Sequence, residues 1–434
     1  MKIAVVGAGI AGLTAAFRLQ QAGHRVQVFE AATHPGGRMW SERIGGFELD
    51  LGVHMLLAHY DRTRALIEEL GLSDQWFELQ AAAGGVLHDH ELASFSPKRA
   101  FDVLRFHGIH LRARVRLFVE LARSLRFADE LDFFDLSVGG DDFDREDCDS
   151  FARRRMGDEA TDYVVDSFIR TFHFHGARRM SLKYFEALAA LLLTRGEFRM
   201  FSLRGHMRAL PEALAARLAV EYGAPVESVA TLASGGVQLQ LRASTAPAIY
   251  DAAVVATTAE AARELLRTPS VAQRELLAHA SSSSTAVCSF AVPIAVAGNF
   301  EGIWIPFVES EVISAVSNET CKGSFDATRC VFSVFLHEEA AALWLERSDE
   351  EVTRVVGAEL IALFPRYAGQ LEALFVQRWP QALPIYGVGQ VTRVRAFWQQ
   401  GQGDGGVWLC GDYLNHPWVE GAVRCGEKVA ARLA

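Results

Sequence analysis

The sequence predicts an α/β protein: a doubly wound parallel sheet assembled from discontinuous segments, with an α+β domain inserted between them. Three observations predict it. An apolar run, Lys2-Ile3-Ala4-Val5-Val6, feeds directly into a glycine turn, Gly7-Ala8-Gly9-Ile10-Ala11-Gly12. Between residues 224 and 258 short alternating strands give way to one that reads as fully buried, Asp251 to Thr258. The last block returns to strand, turn and helix: Val407-Trp408-Leu409-Cys410, then Gly411-Asp412, then Glu420-Gly421-Ala422 opening a helix to Leu433. The same character at both ends, with a different pattern between, implies one domain built from distant pieces. No internal repeat or low-complexity tract interrupts this reading.

The opening segment is a complete βαβ unit. A helical stretch runs to Gln21, Gly23 ends it, and a second strand, Val26 to Phe29, closes on Glu30. In a Rossmann-type dinucleotide site each glycine has a separate task. Gly7 permits the tight turn, Gly9 lets the backbone approach a pyrophosphate, and Gly12 lets helix and strand pack closely. The helix start, with Ile10 and Ala11 in its first turn, offers free N–H groups and a positive dipole end to phosphate. Glu30, 18 residues past Gly12, is placed to accept ribose hydroxyls. The same carboxylate would repel a 2′-phosphate, which disfavours NADPH.

Further along come a glycine arm, Gly36-Gly37-Arg38, a stretch from Gly46 to Met55 and a helix from Asp61 to Leu70 ended by Gly71. Residues 98–127 are arginine-rich with apolar residues at helical spacing, and the acidic stretch 129–149 reads as a loop. Helices dominate to about residue 194, and a short one runs from Ala209 to Leu218. Strands 226–232 and 237–241 flank Ser234-Gly235-Gly236, and 251–258 reads as a buried parallel strand. Residues 284–336 suggest an antiparallel sheet, broken at Pro306 and at Asn318-Glu319. Ser348 with Glu351 reads as a capping box for a helix that stops at Pro365. The expected division is a nucleotide-binding domain of residues 1–85, 200–280 and 395–434, and a substrate-binding domain of 86–199 and 281–394.

Composition narrows the function. At 434 residues, half of them hydrophobic, the chain exceeds one compact unit. A net charge of −10 offers no basic field, so nucleic acid is not an expected partner. Six cysteines without metal-ligand or framework spacing read as reduced thiols. With no leader before the first strand and no apolar run of ~18 residues, a cytoplasmic location is expected, with peripheral membrane contact left open. Arg105, Arg112, Arg116, Arg123 and Arg126 interleave with Leu104, Leu111, Val115, Leu117 and Phe118. Two readings stand: an interfacial helix for anionic lipid, or a solvated helix whose arginines pair with the acidic loop 129–149. Oligomeric state is not legible.

With Gly7 to Gly12, Glu30, Gly36-Gly37-Arg38, Asp50-x-Gly52-x-His54 and Gly411-Asp412 to Gly421-Ala422 in view, the chain resembles the FAD-dependent amine oxidase superfamily. That group includes monoamine and polyamine oxidases, protoporphyrinogen oxidase, and phytoene and squalene desaturases. The likeness covers roughly a third of the chain. It implies FAD, with Arg38 of the arm Gly36 to Met39 paired to the pyrophosphate and Val226 against adenine. It also implies Gly52, Val53, His54 and Met55 beside the isoalloxazine, Asp412 after Gly411 on ribityl hydroxyls, and the amides of Gly421 and Ala422 favouring electron density at flavin N1 and O2. The cysteine to which some amine oxidases tether flavin has no evident counterpart between Trp379 and Gly411, so noncovalent FAD is expected.

Two local likenesses point to large apolar substrates. Asp50 to Leu57 with Tyr60, and Gly411-Asp412-Tyr413 before Glu420 to Val423, are similar to squalene and phytoene desaturases. Trp379 to Tyr386 is similar to protoporphyrinogen oxidase. The resemblance therefore implies hydride transfer from a bulky, largely apolar small molecule to flavin N5. Amine oxidation to imine and hydrogen peroxide is the alternative. A lipid-binding chaperone of the GDP-dissociation-inhibitor type uses the same fold without catalysis, and the intact Gly36-Gly37-Arg38 and Gly411-Asp412 motifs argue against it.

Candidates for substrate chemistry are His54, Tyr413 and Trp418. His54 either polarises the flavin edge or lines the cavity, and Tyr413 with Trp418 form an aromatic wall or ordinary core. His173 and His175 could be pocket residues, a core pair or ligands, and without nearby carboxylate or cysteine partners no metal site is expected. Lys322 stands either where amine oxidases carry a flavin-facing lysine or, as expected here, on an exposed loop. Cys425 is expected only to pack.

Overall fold

A computed structural model describes residues 1–79, 84–95, 100–195 and 199–434. Five parallel strands form the sheet shared by the two chain ends, in the order Val220–Glu221, Arg25–Phe29, Lys2–Val6, Ala252–Val255, Val407–Leu409. Lys2–Val6 is central, and Ile3, Ala4 and Val5 have no exposed surface. Being covered on both faces is why this strand reads as an unbroken apolar run rather than an alternating one. Helix α1 (Ile10–Gln21) follows it directly, and Arg18 of α1 pairs at 3.0 Å with Glu427 of the C-terminal helix Val419–Leu433.

The C-terminal helix also organises α2 (Asp61–Glu69), whose N-cap, Tyr60, supplies no capping side chain. The carboxylate of Glu420 does this instead. It accepts the amides of Arg62 (3.0 Å) and Thr63 (2.9 Å), the Thr63 hydroxyl (2.7 Å) and Arg424 Nε (2.8 Å), with no exposed surface of its own. Unpaired amides at a helix start are thus satisfied by an acid more than 350 residues away in sequence.

The second large sheet has seven strands, ordered Glu372–Trp379, Thr285–Pro293, Arg329–Leu336, Ile313–Asn318, Gly302–Trp304, Gly85–His88, Glu91–Ser94. All junctions are antiparallel except that between Gly302–Trp304 and Gly85–His88. Side chains alternate across it: Cys288, Phe290 and Val292 join the core under helix Asp349–Leu363, while Val287, Ala315 and Phe335 cluster on the opposite face with Phe174. A helical layer made by α3 (Leu111–Ser124), Cys148–Arg155, Ser167–His173 and Leu182–Thr194 lies beside it. Among the described residues no helix is long and apolar enough to cross a membrane.

Three expectations need correction. The arginine-rich segment is not one helix, since a 3-10 turn, Ala100–Arg105, precedes α3, and positions 98 and 99 lie outside the described residues. Nor, among the described residues, do its arginines pair with the acidic loop. Arg123 binds Glu120 of its own helix at 2.6 Å, whereas Asp132 and Asp135 of the loop bind Arg424 (2.9 Å) and Lys428 (3.0 Å) of the C-terminal helix. At Ser348 only half of the capping box forms, because the Glu351 carboxylate turns to Arg347. A complete box instead opens helix Val271–His279, with Ser270 and Gln273 bonded reciprocally.

Replacing Glu420 by Ala strands the buried Thr63 amide, the part-buried Arg62 amide and the Thr63 hydroxyl. It should lower unfolding free energy by about 3 kcal/mol in urea titrations, and Glu420→Gln, which keeps one of the two acceptor oxygens, should lose about half of that.

Candidate active site

The carboxyl ends of three neighbouring parallel strands, at Val6, Phe29 and Ala256, open into a cavity of about 1870 Å³ that continues to the inner face of the seven-stranded sheet. A pocket for one small ligand usually measures roughly 300–1,000 Å³. This one has room for an elongated dinucleotide and a second bulky molecule. Its position beyond the carboxyl ends of a doubly wound sheet is where such folds bind nucleotides.

At one end the cavity is lined by Gly7, Gly9, Ile10 and Ala11 at the start of α1, by Glu30, by Gly36, Gly37, Arg38 and Met39, and by Val226. Farther in lie Gly52, Val53, His54, Met55, Gly411, Asp412, Trp418 and Ala422. Gly9 tests whether a ligand belongs here. Its φ of −68° suits any residue, and a Cβ added to it would meet nothing within 4 Å. The folded chain makes no demand for glycine at this position, whereas a diphosphate lying against the N-terminus of α1 would. The Glu30 carboxylate is fixed at the strand end by the amides of Ala8 (2.6 Å) and Ala32 (2.8 Å). Arg38 and Asp412, expected to hold different parts of a ligand, hold each other at 2.9 Å, and Arg38 also donates to the Ala382 carbonyl at 2.7 Å. A ligand phosphate would compete with Asp412 for that guanidinium.

Three expected contacts lie off the cavity. Gly12 is behind it, where a Cβ would collide with the Gly7 carbonyl, so its task is packing. Gly421 is also off the lining, and a Cβ there would collide with the His416 carbonyl. Its small size is required by the loop before the C-terminal helix. Tyr413 is 2 % exposed and its ring packs beneath Gly411, so it forms no part of a cavity wall. Around Trp418 the lining includes the rings of Phe172, Phe174, Trp304 and Phe335. Only the Phe-rich run around His173 hinted at them, because they come from segments without a motif.

Lys322 is not an exposed loop lysine. A 3-10 turn, Glu319–Lys322, folds it back so that residues i and i+3 share a side. The Lys322 ammonium lies 2.6 Å from Glu319, 3.3 Å from Asp50 and 3.4 Å from His54 Nδ1, and its side chain is 3 % exposed. His54 Nδ1 is 3.1 Å from the other Glu319 oxygen, while Asp50 accepts from Ser41 Oγ (2.7 Å) and the Met207 amide (3.1 Å). Burial alone would raise the Glu319 carboxyl, yet the neighbouring ammonium and imidazole hold it far below the usual carboxylate range. Burial likewise opposes charge on Lys322, and Glu319 with Asp50 more than reverse that. The cluster sets one ammonium between two carboxylates, with the acids behind the cavity lining and Lys322 and His54 on it. Glu319 was missed because the sequence marked it only as a sheet break.

His173 and His175 are fully buried and do not line the cavity. His173 Nε2 is 2.6 Å from the Tyr184 hydroxyl and its ring stacks on Trp418, with centroids 5.5 Å apart. His416 completes the packing against Phe133 and Trp418. Among the described residues no group of three or more His, Cys, Asp or Glu could hold a metal ion. Cys410, inside the interval read as lacking a tethering cysteine, is buried off the cavity with its thiol toward the Ala11 carbonyl at 3.7 Å. Cys425 does more than pack, since it accepts the Gly411 amide at 3.3 Å.

The sequence profile of the family described as flavin containing amine oxidoreductase matches residues 10–434. Coproporphyrinogen III oxidase of Mycobacterium tuberculosis is 26% identical over 426 residues, covering 90% of this chain and 88% of that protein. A 4,4'-diapophytoene desaturase of Staphylococcus aureus is 52% identical over 52 residues, 12% of this chain and 10% of its own. Among solved structures, a triple mutant of putrescine oxidase superposes with a TM-score of 0.82 at 19% identity, covering 100% of this chain and 98% of that one, a likeness of fold.

Two outcomes are expected. Gly9→Ala should leave the thermal midpoint of the apoprotein unchanged while weakening FAD binding, read by fluorescence titration, at least ~10-fold. Burial lowers the imidazoles of His173 and His416 well below their ordinary 6.5, that of His175 to about 4 and that of His337 to about 3. The unfolded chain binds protons that the folded one refuses, so stability is full above pH 6.5 and falls as pH drops toward 4. The expected slope is about 1.4 kcal/mol per pH unit for each histidine, and His416→Phe should flatten it by one proton.

Proposed function

We propose a reaction for this protein from one premise: the chain belongs to the flavin-containing amine oxidoreductase family. It is an FAD-dependent oxidoreductase. Within that class, our reading is removal of a hydride and a proton from a bulky, largely apolar substrate, as in desaturation or dehydrogenation. The observation that carries it is the substrate end of the cavity. Phe172, Phe174, Trp304, Phe335 and Trp418 wall it, Val287 and Ala315 fill between them, and the Lys322 ammonium on its lining is held by Glu319 and Asp50, which lie behind that lining. Such a surface favours an apolar guest and excludes water around the reacting C–H bond. Trp418, locked by its stack on His173, orients that guest.

FAD supplies the two-electron acceptor. The α1 N-terminus with Gly9 would hold its diphosphate, Glu30 a ribose and the Arg38–Asp412 pair the middle of the molecule. We take it to be noncovalent: Cys410 lies off the cavity, and the one cysteine that lines it, Cys321, has its thiol pushed up to about 12 by burial. Residues 1–85, 200–280 and 395–434 serve the cofactor and the rest the substrate, and six free cysteines suit the cytoplasm. The name of the mycobacterial relative, coproporphyrinogen III oxidase, supports a large substrate. A second reading, amine oxidation, is favoured by the burial of Lys322 beside His54, where amine oxidases carry a flavin-facing lysine, and it requires imine and peroxide as products.

Anaerobic titration of the yellow protein with polyprenyl, porphyrinogen and amine compounds decides between them. Bleaching by a polyprenyl or porphyrinogen compound and not by amines is expected, and Trp418→Ala should slow that bleaching at least ~10-fold with an unchanged oxidised spectrum. Peroxide released in air after reduction by an amine would establish the oxidase. A protein that stays colourless with added FAD would make it a lipid-binding module.

A further inference from the structure

Helix α3 carries its apolar residues on both sides. Ala113, Leu117 and Leu121 face the core, as any packed helix requires. On the opposite side Leu111, Val115 and Val119, spaced at i, i+4 and i+8, are 63%, 46% and 41% exposed. Phe101, 63% exposed, joins the stripe through Phe118, their ring centroids 5.1 Å apart, and Leu125 extends it at the other end. Arg112, Arg116 and Arg126 flank the stripe on the exposed surface, and among the described residues none of the three forms an ion pair. A merely solvated helix would present polar residues where this one presents leucine, valine and phenylalanine.

We propose that this face docks on an anionic lipid bilayer, the apolar stripe sinking into the headgroup boundary and the arginines meeting lipid phosphates. Charge decides for lipid over a second copy of the chain. A two-fold contact sets the same patch against itself and would bring unpaired arginines against arginines, whereas an anionic surface complements them. The chain as a whole carries −10, so a bilayer that repels the rest of the molecule would hold it by this face alone and in one orientation. That orientation has a use. Phe101 on the stripe and Asp102 on the cavity wall are consecutive residues of one 3-10 turn, so the docked face adjoins the cavity. Delivery of substrate from lipid rests on the apolar-substrate reading above, whereas the docking itself does not.

Cosedimentation of the oxidised flavoprotein, without substrate, tests the docking separately from the reaction. At low salt it should pellet with phosphatidylcholine vesicles that contain phosphatidylglycerol and stay in solution with phosphatidylcholine alone. Joint Arg112→Glu, Arg116→Glu and Arg126→Glu substitution should cut partitioning at least ~10-fold. Joint Val115→Asp and Val119→Asp substitution should do the same with the flavin spectrum unchanged. No binding to the anionic vesicles at low salt, or binding that neither variant weakens, would overturn the proposal. So would a concentration-dependent dimer in sedimentation velocity that the valine variant abolishes, since the stripe would then be a contact between copies. Docking that stands while no apolar compound bleaches the flavin would keep the membrane face and sink only the substrate reading.

Discussion

The register between Lys2–Val6, Ala252–Val255 and Val407–Leu409 is the constraint on which the rest depends. Val5 lies opposite Val254, and Val255 opposite Leu409, and each of these strands ends in a turn that faces the cavity, at Gly7, Ala256 and Gly411. Side chains that no motif relates become neighbours only because these backbones hydrogen-bond in parallel. Drawing segments about 150 and about 250 residues apart into one sheet is possible because closure entropy rises only slowly with loop length, and burial on both faces outweighs that cost.

Where the interior holds charge, it holds it in sets. Glu420 pairs with Arg424 while it caps α2, Arg38 with Asp412, and Lys322 with Glu319 and Asp50. Each set joins segments far apart in sequence, and each member would be costly to keep ionised without its partners. At the cavity the two acids, Glu319 and Asp50, stay behind the lining and only Lys322 and His54 reach it, which is how an ionic cluster and an apolar guest can share a wall.

What was readable in the sequence was what depends on local spacing. The glycine turn, α1, the strand ending at Glu30 and the buried strand before Gly411 all announce themselves through periodicity and turn chemistry within a few residues. Side-chain direction was less legible. Tyr413 and Trp418 both follow the Gly411 turn closely, yet one ring turns under the glycine and the other into the cavity, a difference set by tertiary packing. Lys322 looked exposed because the acids that bury it, Asp50 and Glu319, could not be brought together by spacing alone. The same holds for the acidic loop 129–149, whose partners Arg424 and Lys428 sit almost 300 residues on, and for Glu351, whose local capping role lost to an equally local arginine.

Strand Val407–Leu409 is one of the two edge strands of the parallel sheet, and it is made after all four of its fellows. On the ribosome the earlier strands can pair while one flank of Ala252–Val255 is still bare, its amides and carbonyls unmatched. The nascent chain therefore passes through a stage with a formed phosphate-facing turn but no Asp412 or Trp418 beside it. Chaperone protection of that open flank, rather than of the finished molecule, is where its biogenesis is most exposed to aggregation.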